Sequence, residues 1–237
     1  MSVAERLTSA ADTEPRTRVP IAPWGWGEIN IGGWPLLIVA IALVLAGSPW
    51  HWLAIVPMVL LVWLVSFFRD PPRRISDDAR AIVAPADGKI VDITPLENYD
   101  FIGGPAVRIG IFLSIFNVHI NRAPLNGRVI ETHYHPGEFL SATRPESAER
   151  NEYMWIGFEQ TEPPQRRFAV RQISGMLARR IVCTLAPGQT ITRGQKFGMI
   201  KLGSRTELIL PAGSADIAIK VGDRIRAGSD VVAHWRD

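Results

Sequence analysis

Two almost unbroken apolar runs, residues 31–47 and 50–68, stand near the front of the chain and are separated by Gly47-Ser48-Pro49. No charged residue interrupts either run. A bilayer core of ~30 Å takes about 20 helical residues, with a lower limit near 17, so each run is just long enough to cross. The pattern predicts a membrane-anchoring helical hairpin over 31–68. Arg16 and Arg18 precede it, and Arg69, Arg73 and Arg74 follow it. The positive-inside rule then puts both ends, and the domain beyond, on the cytoplasmic side of the cell membrane. Trp34, Trp50 and Trp52 are expected at the interfaces. Residues 1–30 are expected to form a mobile polar tail, since their front carries Ser, Thr, Glu and Arg without an apolar period. A cleaved signal peptide does not fit an apolar stretch that starts late and is doubled. The alternative is a helical pair buried inside a soluble domain.

After Pro71-Pro72 the pattern changes to short β-branched runs punctuated by Gly, Pro and Asp, which predicts a β-rich domain over 69–237. Candidate strands are 81–83, 88–93, 107–113, 127–135, 153–159, 168–173, 181–184, 197–202, 207–210, 217–219 and 231–234. Two stretches echo each other: Ala84-Pro-Ala-Asp-Gly-Lys-Ile-Val-Asp-Ile93, and 221–233 with its paired glycine turns. Pro187-Gly188 and Gly194 to Met199 repeat the pattern. Turn glycines of this kind suit a barrel-sandwich domain like the lipoyl and biotinyl hammerhead, and the expected fold is mainly β, following the helical hairpin.

Composition sharpens the picture at two points. The formal net charge of the 237 residues is only +3, yet Arg69, Arg73, Arg74 and Arg80 cluster directly after the apolar stretch, which suits an anionic bilayer surface. No helix-turn-helix, zinc finger or aromatic-basic platform accompanies them, so nucleic acid is not an expected partner. The single cysteine, Cys183, excludes an intrachain disulfide and reads as a structural thiol.

Candidate chemistry centres on Phe197-Gly-Met-Ile-Lys-Leu-Gly-Ser-Arg-Thr-Glu-Leu-Ile-Leu-Pro211, two apolar strands around a polar knot, Gly203-Ser204-Arg205. A glycine before a serine lets the hydroxyl approach the preceding carbonyl without a Cβ in the way. By itself a Gly-Ser dipeptide reads as a hairpin turn. It gains meaning beside Phe67-Phe-Arg-Asp-Pro-Pro-Arg73, Pro85-Ala-Asp-Gly-Lys-Ile90, the run from Phe112 through His119 to Gly127, Tyr134-His-Pro-Gly-Glu-Phe-Leu140 and Glu149-Arg-Asn-Glu152. Together and in this order these resemble the phosphatidylserine decarboxylase family, in its short membrane-anchored class.

The resemblance implies a pyruvoyl-dependent proenzyme. Ser204 would attack the Gly203 carbonyl, cutting the chain into a β subunit, 1–203, and an α subunit, 204–237, that stay together as a heterodimer. Ser204 would become the pyruvoyl group, which forms a Schiff base with phosphatidylserine and releases carbon dioxide and phosphatidylethanolamine. Asp87 matches the family aspartate that forms a relay with a histidine and the serine, which implies an orienting or basic role, against a plain reading as an Asp-Gly turn residue. His119 is the expected base or proton donor, with His133 and His135 as substitutes. Longer members have His-x-x-His-x-Pro where this chain reads His119-Ile-Asn-Arg122-Ala-Pro124, so Arg122 replaces the second histidine and is expected to bind an anionic headgroup or to support the site electrostatically. His135 and Arg205 are the further expected substrate contacts, and no metal is expected. Two rival readings are a carrier module modified on Lys201 and a zinc hydrolase using His133 and His135, which alternate on one strand face.

Overall fold

The computed structural model describes residues 20–140, 147–176, 180–201 and 203–236. Helix α1 (Trp26–Leu45) and helix α2 (Ile55–Phe67) form the hairpin, with a 3-10 turn at Trp50–Ala54 between them. The expected tail is corrected here. A 3-10 turn starts at Pro23 and α1 at Trp26, so residues 20–30 belong to the hairpin, while 1–19 lie outside the described residues.

The hairpin spans, Pro23–Leu45 and Trp50–Phe67, are long and apolar enough to cross a membrane, and only 11% and 17% of their most apolar windows are buried by protein. Ile38, Leu45, Val59 and Val62 present their side chains outward. The buried core pair of a soluble domain is therefore not what the chain builds. Trp50 and Trp52 sit at the hairpin tip, whereas Trp34 falls in the middle of α1. The two ends are tied together: Ala22 N–H donates to the Phe68 carbonyl and Asp70 N–H to the Pro20 carbonyl, both at 2.7 Å.

The remainder is mainly β. Its strands are β1 (Ala81–Val83), β2 (Gly88–Tyr99), β3 (Gly104–Leu113), β4 (Ile120–Arg122), β5 (Gly127–His135), β6 (Tyr153–Gln160), β7 (Arg167–Ile173), β8 (Arg180–Cys183), β9 (Thr190–Ile191), β10 (Lys196–Lys201), β11 (Ser204–Pro211), β12 (Ala215–Ile217), β13 (Arg224–Ile225) and β14 (Val231–Trp235). Every pairing between these strands is antiparallel. The large sheet runs β13-β2-β3-β11-β7-β6-β5-β9 and curls into a half-barrel. Two small sheets, β1-β14-β12 and β4-β10-β8, close over it. Ile90, Ile109, Ile111, Ile156, Phe158, Phe168 and Leu208 fill the core between them. Phe67 and Phe68 pack with Ile120 and Met199, seating the hairpin on the β4-β10-β8 sheet.

The glycine-turn segments find each other in space. Ala84 donates to the Asp230 carbonyl and accepts from Gly228 N–H, while Ile90 exchanges bonds with Asp223 and Gly222, all at 2.8–2.9 Å. The pattern is built a second time: Ala123 accepts from Gly194 N–H, and Val129 exchanges bonds with Gln189 and Gly188. Ala123-Pro-Leu-Asn-Gly-Arg-Val129 thus repeats Ala84-Pro-Ala-Asp-Gly-Lys-Ile90 in structure as well as in sequence. Gly194 and Gly228 hold matching φ of +81° and +74°, a conformation that other residues adopt only under strain.

Candidate active site

Gly203 has φ +60°, in the left-handed region, and a Cβ there would meet only Ile115 Cγ2 at 3.9 Å. Backbone conformation, not space, calls for glycine at this point. The expected polar knot over 203–205 is smaller than its sequence suggested. Ser204 and Arg205 are already in β11, paired with Leu113 and Phe112, which leaves Gly203 alone of the three outside the strand; Leu202 lies outside the described residues.

Side chains alternate along β11. Leu208 and Leu210 enter the main core and Ile209 joins an outer aromatic cluster, so Ser204 and Thr206 share the core face while Arg205 and Glu207 take the outer one. The Ser204 hydroxyl is fully buried and has no hydrogen-bond partner. Leaving such a group unsatisfied costs about 1–3 kcal/mol, and a cost of that size points to a site. Thr206, two residues on, is satisfied: its Oγ1 accepts from Asn121 Nδ2 at 3.0 Å, and Asn121 Oδ1 accepts from Gln172 at 2.9 Å.

His119 lies two residues before Asn121. Its Nδ1 is 2.9 Å from the Asn117 carbonyl, which can only accept, so Nδ1 carries the proton and Nε2 offers a lone pair. Nε2 is buried without a partner. The Phe67 ring lies against the imidazole, with centroids 4.2 Å apart. Burial pushes the His119 pKa down to about 4, with the Arg69 charge acting in the same direction and the Asn117 bond opposing. The residue is therefore neutral at ordinary pH. One turn joins it to the serine corner: Ser114 N–H and Oγ–H donate to Asn117 Oδ1 at 2.9 and 2.7 Å, Asn117 holds His119, and Ile115 faces Gly203. The His119 and Ser204 side chains share this corner without bonding to each other in this conformation.

Asp87 stands at the start of β2, at the same end of the sheet; β3 separates β2 from β11, with Phe112 facing Lys89 and Arg205. Its Oδ1 accepts the Ala227 N–H at 2.8 Å, and both its oxygens lie 2.9 Å from Arg73 Nη2. In the second copy of the repeat Asn126 Oδ1 accepts the Arg193 N–H in the same way, at 2.8 Å. The backbone contact is thus a turn device that an amide performs equally well. What Asp87 adds is a carboxylate against a buried guanidinium. No hydrogen bond links it to His119.

The three expected substrate contacts fall elsewhere. Arg122 is buried, its guanidinium engaged by Asp70 at 2.9 Å and the Gly194 carbonyl at 3.0 Å, and this corrects its reading as a headgroup ligand. Arg205 lies on the face opposite to Ser204, between Glu207 (2.9 Å) and Asp92 (2.7 Å). His135 stacks on Tyr153 at 4.8 Å, three strands away from β11 and so on the order of 14 Å distant. The rival sites fare no better. Lys201 is buried and ion-paired with Glu28, where a carrier lysine must be exposed. His133 bonds to Glu131, and no group of three or more His, Cys, Asp or Glu among the described residues is placed to hold a metal ion.

Ser174 escaped the sequence reading. Continuing the β11–β7 register one residue beyond Arg205 opposite Ile173 sets Ser174 across from Ser204. Its hydroxyl is also fully buried and partnerless, while Asn151 and Glu152 hold its backbone at 2.8 and 2.9 Å. Gln172-Ile-Ser-Gly175 carries no sequence signal for this placement; only the strand register does.

These features define a curled antiparallel β protein on an apolar helical hairpin, with a buried serine and a neutral histidine at one sheet corner. Residues 60–233 match the family model described as phosphatidylserine decarboxylase. Relatives named phosphatidylserine decarboxylase proenzyme include one from Rhodopirellula baltica, 45% identical over 93% of this chain and 90% of its own length. Another, from Desulfotalea psychrophila, is 42% identical over 91% and 96%. A third, from Prosthecochloris aestuarii, is 48% identical over 74% and 79%. The chain belongs to the phosphatidylserine decarboxylase family.

Proposed function

We propose that this chain is a proenzyme that cleaves itself between Gly203 and Ser204 and then decarboxylates phosphatidylserine at a cytoplasmic membrane face. The observation that carries the reading is the partnerless, buried Ser204 hydroxyl following a left-handed glycine, within a family match that spans it. In the first step Ser204 Oγ bonds to the Gly203 carbonyl carbon, the C–N bond breaks, and the nitrogen takes the hydroxyl proton, leaving an ester and a free amine. Removal of the Ser204 Cα proton then expels the Gly203 carboxylate. The unsaturated residue left at 204 takes up water and loses ammonia, which produces a terminal pyruvoyl group. A serine hydroxyl needs a base for such chemistry. His119, neutral and with Nε2 unbonded, has the protonation state required, and Asp87 acts through Arg73 and the Ala227 backbone to fix the corner rather than as a direct relay.

The site suits the group because it would arise from residue 204 itself, already buried across from the partnerless Ser174 hydroxyl, which could donate to one of its carbonyl oxygens. Once present, the pyruvoyl supplies an electron sink for the departing carboxylate. The chain's own work is to keep water out, hold the new terminus in β11 and return a proton, for which His119 is the candidate. The test is mass analysis of the purified protein together with lipid product analysis. Two fragments, the smaller starting at 204 without a free amine, and conversion of phosphatidylserine to phosphatidylethanolamine are expected, whereas Ser204→Ala should remain one inactive chain. Active wild-type protein with an unbroken chain would defeat the reading.

A further inference from the structure

A cleft of about 700 Å³ lies where the hairpin meets the β domain, lined by Arg69, Arg73, Arg74 and Arg226 with Asp87 and Val118. It begins immediately after Phe67 and Phe68, where the second membrane-length span ends, so it sits at the depth of lipid headgroups if the hairpin spans a bilayer. Its charges do not cancel. Arg73 is matched by Asp87 at 2.9 Å and Arg226 by Asp230 at 3.1 Å. Among the described residues Arg69 donates only to neutral oxygens, those of Ser66 and the Phe116 carbonyl. Arg74 is exposed and takes part in no hydrogen bond or ion pair with the described residues. Two guanidinium charges thus remain uncompensated in one concave site, and guanidinium is the side chain best shaped to bind a phosphate by paired hydrogen bonds.

We propose that this cleft binds a phosphate anion through Arg69 and Arg74, and that its source is the phosphodiester of a membrane phospholipid headgroup. The assignment deepens the proposed function, on which it rests, by naming where the substrate's phosphate is held. It also replaces Arg122 in the role its sequence position suggested. Val118 lines the cleft beside His119, and Arg69 reaches the 114–117 turn that carries the serine corner, so a headgroup anchored here would stand next to the reactive residues.

The binding test uses the full chain carrying Ser204→Ala, which cannot cleave, so that its result is independent of maturation. Titrated with glycerophosphoserine, with inorganic phosphate and with phosphatidylserine vesicles, it should bind the two headgroup forms. Adding Arg74→Gln should weaken that binding about tenfold, and Arg69→Gln should do the same. Equal or tighter binding of inorganic phosphate would overturn the lipid source, and binding indifferent to both substitutions would overturn the site. In the cleavable protein, Arg74→Gln should raise KM for phosphatidylserine about tenfold, more than it lowers kcat. Loss of self-cleavage in Arg74→Gln would assign Arg74 to maturation and defeat the proposal. If the wild-type chain never cleaves, the proposed function fails, and the titrations still decide whether the cleft takes phosphate.

Discussion

At the scale of single residues, the site is set by three polar groups whose hydrogen-bonding capacity goes unused: Ser204 Oγ, Ser174 Oγ and His119 Nε2. The pH response of His119 follows from its pKa of about 4, below the ordinary 6.5. A depressed histidine pKa means that the unfolded chain binds the proton first, so its contribution to stability is complete above pH 6.5 and is lost as pH falls toward 4. Thermal unfolding of the uncleavable protein should reveal a loss on the order of 3 kcal/mol across that window, flattened in His119→Asn. Self-cleavage should stay level from pH 8 to about 5, because the neutral base persists there. At position 203, alanine would meet no steric obstacle but would sit at φ +60°. Gly203→Ala should therefore fold with about 1–2 kcal/mol less stability, read by denaturant titration, and cleave more slowly. Asp87→Asn separates turn from charge. The amide can keep the Ala227 contact, as Asn126 does with Arg193, while Arg73 loses its counter-charge. Breaking such a buried pair costs about 3–5 kcal/mol, and a melting temperature unchanged from wild type would refute the assignment of Asp87 to Arg73.

At the scale of elements, β11 carries two different environments on its two faces, and only the inward one holds the serine proposed to react. Ser204 and Thr206 look inward, whereas Glu207, fully buried, gathers Arg205 (2.9 Å), Arg171 (3.0 Å) and Arg108 (3.6 Å) on the other side. Glu207→Gln leaves three guanidinium groups short of a partner and should destabilise the sheet by about 3 kcal/mol in urea unfolding while leaving the Ser204 face intact. Arg205, next to the serine in sequence, owes its position to this network. The β-strand period of two explains why adjacency along the chain separated these residues in space. The same period made the strands readable from the alternation of apolar positions. The short strands β4, β9 and β13 were not readable: β9 and β13 have two residues each, and the three of β4, Ile120-Asn-Arg122, lack the apolar run that marked β1, Ala81-Ile-Val83.

At the scale of the whole molecule, the segment after the proposed cleavage point is woven into the rest. Strand β11 pairs with β3 and β7, β13 with β2, and β14 with β1, so each lies against a strand from the larger piece. A fragment of this length could not bury a core of its own. The two pieces should co-elute in native size-exclusion chromatography and separate only in denaturant; separation under native conditions would contradict this weave. The hairpin is fastened to the same region through Lys201, whose ammonium meets Glu28 and the Trp24 carbonyl, so the strand leading into the proposed cleavage corner is tied to the first helix.

The hairpin, the strand-rich domain, the Gly203-Ser204 step and the pairing of glycine turns were all present in the linear pattern. Each rests on local rules: apolar run length, alternation, and glycine where backbone dihedrals demand it. Chain folding alone decided that Arg122 and Arg205 would be spent on buried ion pairs, that Asp87 would face Arg73, that Ser174 would lie across from Ser204, and that Arg69 and Arg74 would line one cleft without an acidic partner among the described residues. Those outcomes depend on which distant side chains strand register and sheet closure bring together, and no local periodicity encodes them.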